Sequence, residues 1–353
     1  MRSRLRRLAA RWLPRLALAL GVGYPVALVA VTAAMRFIGE AWPVTAVALY
    51  LPRLGFAAPL PFVAGGLLLC KMRRLLWLQL ASVVVLVFAL MGLVLPWPHS
   101  PDAGAPKLRV LSYNVDSCRA GAERIVEEID RYAPDVVALQ ELGETAETER
   151  LLRARYPTVD VSTQFLVASK YPMVSSSDPQ KLSYDERLRS PRFVQRVLDT
   201  PLGRIAFYDV HPLSPRPAFN TLRGRGVRHE LFSGRLFSSA SGHLIEDNFG
   251  LRALQVRAFA EAAARETDPV ILAGDTNLPE LSRVLARNLS GYADGFTKAG
   301  WGFGYTYPSN DKHRPWMRID RIMASEGLRF VGFEIGQSTA SDHLCVVADV
   351  QRR

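Results

Sequence analysis

Hydrophobic positions fall in two regimes along this chain. Before residue 100 they form long unbroken runs; after residue 106 they form short runs separated by polar turns. Residues 16–35 carry no charged side chain and are long enough to cross a hydrocarbon core about 30 Å thick. Residues 75–95 meet the same test. Between them, residues 43–70 are interrupted by Pro52, Arg53, Pro59 and Pro61. The second half of that segment, 54–70, is just long enough to cross, and the first half reads as a kinked extension or an interfacial helix. The pattern therefore predicts a membrane domain over residues 1–98 with three transmembrane helices, 16–35, 54–70 and 75–95. Residues 99–106, rich in Pro, Ala and Gly, read as a linker.

From Lys107 onward short β-like runs alternate with helical stretches. Strands are predicted over 108–115, 135–142, 165–168, 193–198, 204–210, 269–275, 318–323, 329–335 and 344–350. Helices are predicted over 122–132, where Ile125, Val126 and Ile129 share a face, and over 144–155 and 251–265. Strands and helices in alternation with a β-rich close imply an α/β domain over 107–353, with two sheets covered by helices.

Charge changes the picture. Residues 1–106 hold eleven of the 44 basic residues but only two acids, Glu40 and Asp102, so they carry +9 of the net +11. The remaining 247 residues are close to neutral, at +2. The excess of positive charge is thus a topology signal and not the basic footprint of a nucleic-acid binder. Six arginines precede the first span, and Lys71, Arg73 and Arg74 lie between the second and third. Both sets belong on the cytoplasmic side, and three crossings deliver the C-terminal domain to the outer face of the cell membrane. If 54–70 failed to cross, that domain would face the cytoplasm. A signal peptide over 1–35 is a competing reading, disfavoured by the two further apolar segments and the lack of a clean A-x-A site. Cys70, Cys118 and Cys345 form no metal-binding pattern; the last two read as small buried residues and not as a disulfide.

Polar groups interrupt the apolar strands at their ends. Asn114 and Asp116 follow the first, Glu141 closes the second and His211 ends another; Asp275 and Asn277 close 269–275. Asp320 sits within 318–323, and Asp342 and His343 open the last strand. One carboxylate at a strand end is usually a turn former or a cap. Polar ends on six strands gather on one sheet edge, where ligands bind. Carboxylates crowded there repel one another unless a cation is present. The residues alone thus point to a hard-metal hydrolytic site.

The set LSYNVDS, VVALQEL, the VH of YDVHP, LAGDTN, RIDRI and SDHLCVV, in this order, resembles the endonuclease/exonuclease/phosphatase superfamily, the type I deoxyribonuclease-like proteins. The resemblance covers 107–353 and implies a four-layer α/β/β/α sandwich. It implies that Glu141 is the principal Mg²⁺ ligand, supported by Asn114, with Asp342 completing the metal region. Asp116 matches an acidic position of the apurinic endonucleases; read alone, it is a turn former. Asp275 would orient or deprotonate the attacking water and Asn277 would hold a phosphoryl oxygen. His343 would face the scissile phosphate, with Asp320 on its other ring nitrogen. His211 matches a second histidine of the nuclease and phosphodiesterase branches. Thr276 departs from the family, which usually has Phe there.

The preceding spans resemble those of bacterial members linked to glycopeptide resistance, which act on undecaprenyl pyrophosphate-type lipids outside the cytoplasm. The expected partners are therefore membrane lipids and a phosphorylated, lipid-linked substrate, with nucleic acid the less favoured alternative. Residues 214–237 interleave Arg216, Arg223, Arg225, Arg228 and Arg235 with Phe219, Phe232 and Phe237. Such a loop suits a phosphate headgroup at a bilayer, and equally an ordinary solvated loop. Residues 301–308 and 312–318 form a second expected rim, in which Trp316 would pack on lipid or a base; Trp301 and Trp316 read equally well as core.

Overall fold

The computed structural model describes residues 2–95, 102–143, 146–220, 240–309, 314–337 and 340–353. The chain divides into two compact units, Met1–Leu93 and Val94–Arg353.

In the first unit two helical segments, Arg11–Phe37 and Arg73–Leu90, are long and apolar enough to cross a membrane, and a third, Arg53–Leu69, is shorter. The expected span 54–70 is thus only partly regular: a 3₁₀ turn at Arg53–Ala57 precedes the helix Leu60–Leu69. The prolines explain this, because each removes a helical donor and crowds the preceding turn. The last segment passes from α-helix at Leu76–Val84 into π-helix at Val85–Leu90. Polar groups inside this unit find carbonyls: Gln79 Nε2 donates to Gly21 O at 2.7 Å, and Arg53 donates to Leu90 O at 2.5 Å and Leu49 O at 3.1 Å. A polar group buried without a partner is costly.

The second unit is built on two six-stranded sheets. The strands are β1 (Leu108–Asn114), β2 (Val136–Gln140), β3 (Thr158–Ser162), β4 (Phe165–Ser169), β5 (Met173–Ser177), β6 (Leu182–Tyr184) and β7 (Arg187–Arg189). They continue as β8 (Phe193–Thr200), β9 (Gly203–Val210), β10 (Val270–Asp275), β11 (Ala293–Asp294), β12 (Asp320–Ala324), β13 (Leu328–Ile335) and β14 (Val346–Arg352). One sheet runs β13-β14-β1-β2-β4-β3, the other β11-β12-β10-β9-β8-β5, and β6 and β7 form a small hairpin. Each large sheet has a parallel pair at its centre, β1 with β2 and β9 with β10.

The side-chain period of two explains the layers. Leu108 and Val110 of β1, Val136 and Ala138 of β2, Ile205 and Phe207 of β9, Ile271 and Ala273 of β10, and Ile322 of β12 meet in one buried core between the sheets. The alternate residues face outward. Leu111, Tyr113, Val137 and Leu139 pack under the helices Ala122–Tyr132 and Ala146–Arg153. Tyr208, Val210 and Leu272 pack under Val256 and Phe259 of the helix Ala240–Ala264. The result is an α/β fold with two sheets between helical layers. All three cysteines are free; Cys345 is buried and Cys118 half-buried against Thr148.

Gly274 lies directly against β9, with no room for a side chain. Its φ is +149°, and a Cβ there would lie 1.9 Å from Val210 O. Gly274→Ala is expected to destabilise the unit by roughly 2–3 kcal/mol through strain and overpacking, read as a lower urea midpoint of the detergent-solubilised chain.

Candidate active site

The parity that builds the core also delivers the polar groups. Asn114 follows Leu108 and Val110 on the inner face of β1, and Gln140 follows Val136 and Ala138 on β2. Asp209 and His211 continue the inner face of β9, Asp275 that of β10, and Asp320 that of β12. Each lies at the strand end where the two central parallel pairs terminate, so apolar strands run on into one polar cluster between the sheets. Glu141 has the outward parity of Val137 and Leu139, but its φ is +52° and the left-handed turn re-aims it. Arg192, Asn277 and the run Asp116–Cys118 also have positive φ. Backbone strain of this kind concentrates where surrounding contacts hold a site in place.

Asn114 Nδ2 donates to Glu141 Oε1 at 3.1 Å and Asp275 Oδ2 at 3.2 Å. His211 Nε2 lies 3.3 Å from Glu141 Oε1 and 3.6 Å from Asp275 Oδ2, while its Nδ1 meets Gln164 Oε1 at 2.7 Å. Asp275 and Asp320 face each other across the β10–β12 pair. Asp320 holds His343 Nδ1 at 3.0 Å, which leaves His343 Nε2 3.8 Å from Asp275 Oδ2. Asn277 donates its backbone N–H to Asp275 Oδ1 at 2.8 Å and its amide to Pro212 O at 3.0 Å. Seven predicted residues, Asn114, Glu141, His211, Asp275, Asn277, Asp320 and His343, therefore converge.

Electrostatics separates their charge states. Burial works against the Glu141 carboxylate, but His211 and Asn114 outweigh it and hold the group down to about 2. Burial raises the Asp275 carboxyl, with Asp320 adding to the effect and His343 and His211 opposing it. Burial disfavours charge on His343 too, yet Asp320 and Asp275 push it up to about 10. Asp209, fully enclosed behind the site, is raised well above the carboxylate range by burial and accepts from Gln140 Nε2 at 2.7 Å.

Among the described residues, two sets of donors lie close enough to hold a cation: Glu141, His211 and Asp275, and Asp275, Asp320 and His343, with ligand atoms in each set within 4.8 Å of one another. Asp320 already holds His343 Nδ1, which favours the first set. Its His211 Nε2 is buried and makes no hydrogen bond among the described residues. Carboxylate oxygens with one imidazole fit a hard divalent ion.

Asp116 and Asp342 enter neither set. Asp116 accepts from Arg119 and is raised by burial and by Asp342. Asp342 pairs with Arg216, with its Oδ1 3.9 Å from His343 Nε2. Arg216 also bonds the Tyr307 hydroxyl and lies over the Tyr307 ring, 5.0 Å from its centroid. Trp316 is half-buried, its backbone N–H on Tyr307 O at 3.0 Å. Arg223, Arg225, Arg228, Arg235, Phe232 and Phe237 lie outside the described residues.

Three further residues escaped the sequence reading. Tyr307, within the expected rim 301–308 but not singled out there, lies against His343 with ring centroids 4.6 Å apart and planes tilted by 36°. Gln164 fixes His211, and Arg192 lies beside it because β8 runs antiparallel to β9: His211 N donates to Arg192 O at 2.9 Å. Glu141, Gln164, Arg192, His211 and Ser214 line a cavity of about 350 Å³. A larger one, about 540 Å³, lies by Asp268–Val270 at the opposite end of β10 and holds none of the converging groups, so size does not mark the site here.

Residues 111–343 match the model of the Endonuclease/Exonuclease/phosphatase family. The chain belongs to that family. It is therefore a hydrolase of phosphoester substrates, and its converging polar groups lie within the matched residues. Among solved structures, an endonuclease/exonuclease/phosphatase from Beutenbergia cavernae is 22% identical with a TM-score of 0.48, covering 70% of this chain and 72% of that one. A family protein from Bacteroides thetaiotaomicron is 16% identical with a TM-score of 0.50, covering 70% and 99%. A mannosyl-6-phosphatase from the same organism is 17% identical with a TM-score of 0.48, covering 69% and 99%. At these identities the likeness is one of fold. None of the curated proteins matches this chain.

Proposed function

We propose that this family member is a membrane-anchored, divalent-metal-dependent phosphohydrolase that attacks a phosphate or pyrophosphate of a lipid-linked substrate at the outer membrane face. The observation that carries the chemistry is the juxtaposition of Glu141, the buried Asp275 and His343, with His211 between the two carboxylates and Asp320 on the far nitrogen of His343, around one inner corner of the two sheets.

Glu141, with Asn114 beside it and His211 facing it, would hold Mg²⁺ or Mn²⁺; such an ion, when bound, neutralises phosphoryl charge and acidifies water. Asp275, its Oδ1 on the Asn277 backbone and its Oδ2 toward both histidines, accepts the proton of the attacking water. The Asn277 amide steadies a phosphoryl oxygen. His343, held charged by Asp320, stabilises the charge that develops or protonates the leaving oxygen. Arg216, at the rim with Asp342 and Tyr307, meets the remainder of the substrate, and Trp316 lines the same rim.

Anchoring is supported by the two helical segments of spanning length and the shorter third. The outer-face orientation is supported by the arginines before the first segment and the basic residues at 71, 73 and 74. The resemblance to glycopeptide-resistance-linked members points to an undecaprenyl pyrophosphate-type lipid, and the near-neutral second unit suits a small headgroup better than a polyanion.

The test is turnover by the detergent-purified chain on undecaprenyl pyrophosphate, a phospholipid panel and plasmid DNA, beside Asp275→Asn. Phosphate or headgroup release lost in the variant, with DNA intact, supports the reading. Nicked plasmid with untouched lipids replaces it with an anchored nuclease. Chelation should abolish turnover and added Mg²⁺ or Mn²⁺ restore it. Glu141→Gln should raise the Mg²⁺ concentration for half-maximal turnover by more than about 100-fold, beyond the roughly 10–100-fold scale of losing a supporting group.

A further inference from the structure

We propose that Trp301 is an interfacial anchor, seated in the headgroup layer of the bilayer, and that it sets the depth at which the active site meets its substrate. This inference rests on the anchored reading above and deepens it.

Trp301 is 76% exposed, the highest value among the large hydrophobic residues described in the second unit. A tryptophan left so open is costly in water and is placed favourably where an apolar ring meets the headgroups. Its neighbour Gly302 is bonded in both directions to Val94: Val94 N donates to Gly302 O at 2.8 Å, and Gly302 N donates to Val94 O at 3.0 Å. Val94 follows the end of the last apolar helical segment, Leu90, by four residues. A chain of that length reaches no more than about 14 Å, so the bridge ties the Trp301 loop to the point where the chain leaves the membrane. Leu95, next to the bridge, is 61% exposed and adds apolar surface.

The loop is built to present its side chain. Gly302 and Gly304 have φ of +91° and +71°, and Phe303 and Tyr305 stack with their centroids 5.4 Å apart, which stiffens the turn. The same strap then enters the site. Thr306 O accepts from Leu344 N at 2.9 Å, and the Tyr307 ring lies against His343. Tyr307 lies six positions after Trp301, a span of at most about 21 Å. The strap thus joins the bilayer interface to His343, and the substrate it selects is an amphiphile whose phosphate stands just clear of the headgroups.

The experiment places an environment-sensitive nitrobenzoxadiazole probe on Trp301→Cys in the full chain, reconstituted into phosphatidylcholine–phosphatidylglycerol vesicles. Labelled wild type supplies the background from Cys70, Cys118 and Cys345, and Glu326→Cys, beside the cavity at the end of β10 opposite the active site, is the exposed comparison. A thermal midpoint matching wild type in detergent shows that the Trp301 variant folds. The probe at 301 should emit to the blue of that at 326 and lose roughly half its emission to lipids carrying a headgroup-level nitroxide. If the protein resists alkaline carbonate extraction yet the 301 probe behaves as in water, the inference fails and the anchored reading stands. If carbonate strips the protein from the vesicles, both fail.

Discussion

Asp275→Asn is expected to lower kcat for phosphoester hydrolysis on the order of 10³-fold, with KM changed little. The residue is buried and held from three sides, by the Asn277 backbone at 2.8 Å and by the Asn114 and Asn277 amides at 3.2 Å each. Those contacts fix its direction in the absence of substrate, so the carboxylate is aimed before anything binds. An amide is nearly isosteric but cannot take a proton from water. Its nitrogen would also confront two donors or force the side chain to flip, which turns a cradle for a carboxylate into a clash of like dipoles. Circular dichroism and the thermal midpoint should show the fold retained, because the apolar core between the sheets begins one residue-pair away, at Ala273 and Ile271. Full activity in the variant would remove Asp275 from the chemistry and leave Glu141 and the histidines to be tested as the base.

The convergence around Asp275 was legible in the sequence because strand parity is simple. Once β1, β2, β9, β10 and β12 are placed, Asn114, Gln140, His211, Asp275 and Asp320 have to continue an inner face. What was not legible depends on pairing between distant strands. Arg192 begins an apolar run with nothing local to mark it; only the antiparallel β8–β9 register sets it beside His211. Tyr307 lies in an irregular strap whose aromatic residues look alike in the sequence, and its position over His343 is fixed by backbone bonds to Met317 and by Leu344 on Thr306. Trp301, which read equally well as core, is open. Asp342 was placed with the metal, and the structure instead pairs it with Arg216 at the rim. β3 and β5 were missed for a different reason. They are edge strands, and the serines of β5 have little hydrophobic alternation to betray it. The membrane half was read by length and charge, and prolines blur the length of its middle segment.

Asp320→Asn is expected to reshape the pH profile as well as to cost roughly 10²-fold in kcat. His343 is raised to about 10 because Asp320 and Asp275 reward its charge more than burial penalises it. If the protonated imidazole is the working form, wild-type kcat/KM holds across neutral pH and falls as pH rises through that value. Removing the Asp320 charge lowers the His343 pKa, so the alkaline limb moves to lower pH, by at least about one unit. The variant's deficit is then largest at alkaline pH and smallest near pH 6, where even a less basic histidine stays protonated. Stability follows the same sign. The folded pKa lies above the unfolded one, so the ion pair's contribution is full below about 6.5 and lost as pH rises toward about 10. The wild-type thermal midpoint should decline across that window, and the Asp320→Asn midpoint should decline less. A variant that is slower at every pH by the same factor, with an unmoved alkaline limb, would mean that Asp320 only positions the ring and that His343 does not act through its proton.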